Sequence, residues 1–215
     1  MVTRLVKDRF LAIEPYVKGK DVLDIGCVDA RTGGEKKYKS TGLHIFLKGH
    51  AHFLMGVDSD KGGVIAMKNE GYNVTQADAE RLNLGRRFDT VVAGEILEHL
   101  SNPGLFLESV KGHLNDGGTL IITTPNAFGI TNFFRILRKN SIKVHGGHTC
   151  WYDPVTLAQL LGRHFFKVEE MFFSNKRKWY KRRYFFKLKY QIPKFFTMVR
   201  PYFSGTIIAV ARKYG

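Results

Sequence analysis

The apolar positions of this chain change period repeatedly, and each change marks an element. Short apolar runs at 21–25 (DVLDI), 53–57 (FLMGV), 73–76 (NVTQ), 88–93 (FDTVVA) and 119–124 (TLIITT) have the length and branched content of strands. Between them the spacing turns helical, over 38–48, 62–69 and 103–114. An amphipathic stretch over 3–14, closed by Pro15, predicts a helix at the start. Asn115-Asp116-Gly117-Gly118 is a turn cluster ahead of the fifth strand. Further on, 128–138 reads as a helix, and 155–162 as another with Asp153 as N-cap and Pro154 in its first turn. The stretches 167–173 and 206–211 (TIIAVA) read as a sixth and a seventh strand. Strands alternating with helices at this spacing predict an α/β fold, a mostly parallel, doubly wound sheet covered by helices on both faces.

Composition bounds the picture without changing it. With 215 residues, 44% apolar and 25% charged, the chain suffices for a single domain spanning 1–215. No apolar run approaches the ~18–20 residues of a spanning helix, and no secretory leader is read at the N-terminus. Two cysteines, Cys27 and Cys150, exclude a disulfide scaffold or a Cys-rich zinc module, so the expected location is cytoplasmic. Charge does change the picture. Residues 1–174 hold 22 Lys/Arg against 19 Asp/Glu, whereas 175–215 hold 12 Lys/Arg and no acid. A near-neutral body thus carries a strongly basic C-terminal segment, which points to an anionic partner.

The candidate chemistry begins where the first buried strand runs into Gly26-Cys27-Val28-Asp29-Ala30. A small-residue turn after a strand lets a ligand approach the backbone at the carboxyl edge of an open sheet. Gly26 is the tight-turn glycine and Asp24 an acid at the strand end. Asp58 ends the second strand, where a carboxylate can accept both hydroxyls of a ribose. Asp78 ends the third, placed to accept from an adenine amino group. The glycines that a diphosphate would need are missing, so a dinucleotide is disfavoured.

These segments (VLDIGC, GVDSD, ADAE, FDTVVAGEILEHL and GGTLIITTPN, in order over residues 20–126) resemble the class I S-adenosylmethionine-dependent methyltransferases. Within that family the chain looks most like small O-methyltransferases of glycan-assembly and quinone pathways. The resemblance implies a Rossmann-like, seven-stranded fold and S-adenosylmethionine as cofactor. It places Asp24 and Gly26 at the methionine moiety, Asp58 at the ribose and Asp78 at the adenine, within a cofactor set of Asp24, Gly26, Cys27, Asp58, Ser59, Asp78, Ala79 and Glu95. One departure is that Val28 and Ala30 stand where the family's loop carries further glycines.

Beyond the fourth strand, Gly94-Glu95-Ile96-Leu97-Glu98-His99-Leu100 puts two carboxylates and an imidazole at i, i+3 and i+4, a spacing that lets them converge on one helical face. Mixed oxygen and nitrogen ligands of this kind suit a divalent metal such as Mg²⁺, Mn²⁺, Fe²⁺ or Zn²⁺. The Glu-x-x-Glu-His turn, Thr124-Pro125-Asn126 and a downstream His resemble metal-dependent O-methyltransferases that act on a terminal ribose or on a catechol. By that likeness Glu95, Glu98, His99 and His148 are the metal set, with His145 as the substitute for His148. A metal there would activate a hydroxyl oxygen and orient it. Two other readings stand beside it: His99 or His148 as general base without metal, or a purely structural turn. Trp151-Tyr152 are candidates for a wall of the acceptor pocket, and His44, His50, His52 and His113 are read as incidental.

Residues 175–203 form an insert between the last two strands, with 10 Lys/Arg, 10 aromatics and no acid. It can seat cations on lipid head groups while its rings enter the interface, track a phosphate backbone, or pack as scaffold. The paired phenylalanines favour a membrane surface over RNA. The expectation is therefore a cytoplasmic, peripherally membrane-associated O-methyltransferase acting on a sugar, quinol or lipid-linked hydroxyl. The alternatives are methylation of an RNA ribose, or a non-catalytic anionic-surface module that retains a degenerate cofactor fold.

Overall fold

A computed structural model describes residues 2–29, 39–40, 42–175 and 195–214. The strands are β1 (Val2–Val6), β2 (Asp21–Ile25), β3 (Val28–Asp29), β4 (Lys39–Ser40), β5 (Phe53–Asp58), β6 (Val74–Gln76), β7 (Phe88–Gly94), β8 (Leu114–Pro125), β9 (Phe166–Ser174) and β10 (Thr206–Lys213). The helices are α1 (Arg9–Val17), α2 (Gly42–Lys48), α3 (Lys61–Asn69), α4 (Pro103–His113), α5 (Ile130–Lys139) and α6 (Pro154–Arg163). Eight strands make one sheet in the order β1-β9-β10-β8-β7-β2-β5-β6, while β3 and β4 pair separately. Within the eight-stranded sheet only β10 runs antiparallel to its neighbours, β8 and β9, and the other pairs are parallel. All seven expected strands are present, and the α/β fold class stands.

Alternating side chains serve the two faces of the sheet. Leu23, Ile25, Val91, Ala93, Leu120 and Ile122 pack with Phe106 and Val110 of α4 and Leu157 and Leu161 of α6. Val22, Val92, Ile121 and Ile208 pack on the other face with Ile13 and Val17 of α1 and Leu43 and Leu47 of α2. The chain lays β2, β5 and β6 outward in one direction, then crosses back to β7 and β8 on the other side. The order of connection therefore reverses between β2 and β7, where an open α/β sheet leaves a crevice at its carboxyl edge.

Four expectations need correction. The helix expected over 3–14 is a strand followed by a helix: Val2–Val6 adds an eighth strand beside β9, and the Asp8 side chain accepts from Phe10 N at 3.1 Å to start α1. Pro15 lies inside α1 rather than ending it. The helix expected from 38 begins at Gly42, because Lys39–Ser40 pairs with Val28–Asp29. β8 starts at Leu114, not 119, with the turn cluster carried as an irregularity in its register with β7 and Gly117 at φ +70°. Of the basic insert, 176–194 lie outside the described residues. Asn175 and 195–203 are described, and the buried Asn175 ties the two ends together by bonding Thr197 Oγ1 at 3.0 Å and Gly205 N at 3.2 Å.

Candidate functional site

At the carboxyl edge of β2, Gly26 adopts φ +83°, a conformation open to glycine at no steric cost, and its N–H donates to Val57 O at 2.9 Å. Asp58 binds this turn directly: its Oδ2 accepts from Val28 N at 3.0 Å and its Oδ1 from Asp60 N at 2.9 Å. Burial raises the Asp58 carboxyl above its ordinary value, against those two backbone bonds. A carboxylate offers about four lone-pair positions, so two accepted bonds leave room for a diol. Ala77 N donates to Asp58 O at 3.0 Å, which sets the Asp78 turn beside the end of β5. Asp78 is exposed and caps a 3₁₀ turn over Ala79–Arg81, accepting from Glu80 N at 2.9 Å, while Ala79 is buried and Ser59 exposed.

Asp24 is only 1% exposed, and its Oδ2 meets Nδ1 of the equally buried His44 at 2.8 Å. Its Oδ1 is buried with no hydrogen-bond partner among the described residues. His44, incidental by sequence pattern, is thus the buried partner of Asp24. The signal lay in its place beside Leu43 and Leu47, the apolar stripe of α2. Cys27 is fully buried, which pushes its thiol far up, with the Asp24 and Asp58 charges acting in the same direction. Glu80 was missed as well: its Oε1 accepts from Ser101 N and Asn102 N, both at 2.8 Å, at the start of α4.

Beyond β7, Glu95 holds a left-handed backbone (φ 56°) and its N–H donates to Thr123 O at 2.8 Å. Its carboxylate lies 3.8 Å from the Arg9 guanidinium and 3.4 Å from Thr123 Oγ1. Glu98 is buried and accepts from Thr124 Oγ1 at 2.9 Å. His99 is exposed, and its Nδ1 bonds Gly147 O at 3.0 Å. A carbonyl only accepts, so Nδ1 carries the proton and Nε2 the lone pair. The loop after α5 brings His145 and His148 against His99, with ring centroids 5.6 and 4.5 Å away.

The structure thus gathers the expected residues differently from the sequence spacing. One nitrogen from each of His99, His145 and His148 lies within 4.8 Å of the others, whereas Glu95 and Glu98 stand outside that cluster. The backbone turn explains this: Glu95 is left-handed and only Leu97–His99 forms a 3₁₀ turn, so Glu95, Glu98 and His99 do not share one helical face. Both glutamates still line the same cavity, of about 520 Å³, with the three histidines, Asn126 and Trp151. Tyr152, by contrast, belongs to the core. Asn126 spends its side chain on structure, donating to Tyr202 O and Ser204 O and accepting from Phe128 N. The cavity adjoins the turn after β2 through the Glu95–Ile96 segment: a Cβ on Gly26 would meet Ile96 Cδ1 at 3.4 Å.

Comparison with known proteins agrees with this layout. A family model described as a methyltransferase domain matches residues 2–171. A ubiquinone biosynthesis O-methyltransferase of Azorhizobium caulinodans is 29% identical over 124 residues, which cover 51% of this chain and 42% of that protein. A tRNA U34 carboxymethyltransferase of Pseudoalteromonas translucida is 29% identical over 161 residues, 70% of this chain and 45% of that protein. The chain spans less than half the length of these two curated relatives. A solved methyltransferase from Archaeoglobus fulgidus shares the fold at a TM-score of 0.67 and 18% identity, covering 95% of this chain and 91% of that one. With the family model spanning most of the sheet and its crevice, this chain belongs to the class I S-adenosylmethionine-dependent methyltransferases.

Proposed function

We propose that this protein is an O-methyltransferase whose acceptor, a hydroxyl-bearing sugar, quinol or lipid-linked compound, occupies the cavity around His99, His145 and His148. The observation that carries the reading is the position of this imidazole-lined cavity, one residue step from the Gly26 turn. The turn suits S-adenosylmethionine. Gly26 leaves the backbone open, Asp58 keeps lone pairs for a ribose, and Asp24 has a buried oxygen without a partner among the described residues. When bound, the cofactor supplies an electrophilic methyl group on sulfur. An aliphatic or phenolic hydroxyl must give up its proton to attack it, and His99 Nε2 is the atom placed to take that proton. Glu95, Trp151 and the polar side of α5 confine the acceptor. Cys27 and Ala79 would pack against the cofactor, with Ser59 and Asp78 at its exposed nucleoside end.

A membrane surface is supported by an inverted helix. Thr131, Asn132 and Arg135 of α5 line the cavity, while Phe133 and Leu137 on its opposite side and Ile136 on its flank are exposed, with Arg138 and Lys139 in its last turn. Phe195 and Met198, at the described end of the basic segment, are exposed too, and Phe134 meets Phe196 at 6.5 Å. Apolar rings rimmed by cations fit an anionic lipid interface, so the acceptor would be delivered from the membrane. Among the described residues no helix is long and apolar enough to cross one. An RNA ribose is the second reading. Arg135 and Lys143 on the cavity wall, together with the tRNA-modifying relative, favour it.

Calorimetry with S-adenosylmethionine, followed by methyl transfer to a panel of quinols, sugars and short RNAs, tests the reading. Cofactor binding with transfer to a quinol or sugar hydroxyl is expected. Absence of cofactor binding, or transfer to nitrogen alone, overturns it.

A further inference from the structure

We infer that His99, His145 and His148 form a binding site for a borderline transition-metal ion of the Zn²⁺ type, held by three imidazole nitrogens with a fourth position open to the cavity. This rests on the reading of that cavity as the acceptor site. It departs from the carboxylate-rich set that the sequence spacing suggests. Three nitrogens already lie within 4.8 Å of one another. Tetrahedral zinc with bonds of about 2.0–2.1 Å needs them about 3.3 Å apart, a contraction that side-chain torsions on an exposed loop can supply.

Two features beyond proximity support the site. His99 is oriented as a ligand: its Nδ1–H donates to Gly147 O at 3.0 Å, and a backbone carbonyl on the far nitrogen is the usual partner of a metal-bound imidazole. The spacing His145-Gly146-Gly147-His148 lets the loop fold back on itself, and a Cβ on Gly147 would crowd His99, lying 3.0 Å from its Nδ1. Gly147 N also donates to His145 Nδ1 at a long 3.4 Å, a weak bond that His145 gives up if it coordinates through that nitrogen. On the cavity wall Arg135 and Lys143 oppose a cation, whereas Glu98 and Glu95, the latter 3.8 Å from Arg9, attract it. All-nitrogen donors select zinc, cobalt, nickel or copper over Mg²⁺, which takes oxygen. With an ion in place, His99 is a ligand rather than the proton acceptor.

Chelator-stripped protein would be titrated with Zn²⁺ against a chromophoric chelator, and with Co²⁺ while its visible spectrum is followed. The expected result is one equivalent of ion and a tetrahedral Co²⁺ spectrum. Affinity should fall more than tenfold in His145→Ala and in His148→Ala, and remain in Glu98→Gln, with melting curves confirming that each variant folds. Mg²⁺ should not compete. Zinc binding no tighter than in a variant lacking all three histidines overturns the site. So does binding that survives His145→Ala but is lost in Glu98→Gln. Methyl transfer assayed with and without chelator reports separately on the cavity. Zinc bound at the trio without transfer to any hydroxyl would strike the acceptor reading and leave the metal site standing.

Discussion

Three residues illustrate how a site is maintained against the preferences of the chain. Glu95 holds φ 56°, which costs a residue with a Cβ of order 1 kcal/mol. Glu95→Gly is therefore expected to lose no stability in urea melts, even without the contact to Arg9, yet to weaken cofactor binding or transfer. A variant destabilised by more than ~1 kcal/mol would show that the carboxylate, not the backbone, anchors this turn. Asp24 and His44 are both 1% exposed and share a 2.8 Å bond. Removing one partner of a buried pair strands the other, so His44→Leu should cost about 3–5 kcal/mol, and combining it with Asp24→Leu should restore part of that. Equal losses in the single and double variants would mean that the pair is not coupled.

At the scale of elements, stability depends on ties between segments far apart in the chain. The Tyr16 hydroxyl donates to the Glu170 carboxylate, joining α1 to β9, which carries the edge strand β1. Burial, then the Glu170 hydrogen bond and charge, push Tyr16 from 10.0 up to about 12. A raised folded value means that this tie is fully present below pH 10 and is lost as pH rises through about 12. Base-induced unfolding should therefore show a loss of stability across that window, and Tyr16→Phe should flatten it. An unchanged alkaline limb in Tyr16→Phe would assign the loss to other groups. Glu80 makes a second tie, with both N–H groups before α4 on one oxygen. Glu80→Ala is expected to cost about 1–3 kcal/mol, measured by thermal melting.

At the scale of the molecule, the sheet crossover, the cavity and the exposed side of α5 lie along one edge. Replacing Phe133 and Leu137, 53% and 68% exposed, by Asp should leave melting and cofactor binding unchanged but abolish sedimentation with anionic liposomes. Wild-type protein that stays in the supernatant, or that is released by RNA, would turn the acceptor search toward nucleic acid. The basic segment and α5 would then serve a phosphate backbone, and binding would weaken steeply with salt.

Local pattern alone determined the seven strands, the order of helices between them, the capping of α6 by Asp153 and the turn at Gly26. Buried runs, caps and a glycine turn are written in neighbouring residues, where period and side-chain chemistry act over a few positions. Tertiary structure decided the rest. The stretch at 2–6 is a strand because β9 offers it an edge, a partner 168 residues away that no local pattern contains. His44 is buried against Asp24 because α2 docks on the sheet there. Three histidines cluster, rather than two glutamates and two histidines, because the chain turns left-handed at Glu95 and the loop after α5 folds back on His99. Spacing along a sequence can bring residues to one side of an ideal helix. Which of them meet depends on backbone angles and on segments that arrive from elsewhere in the fold.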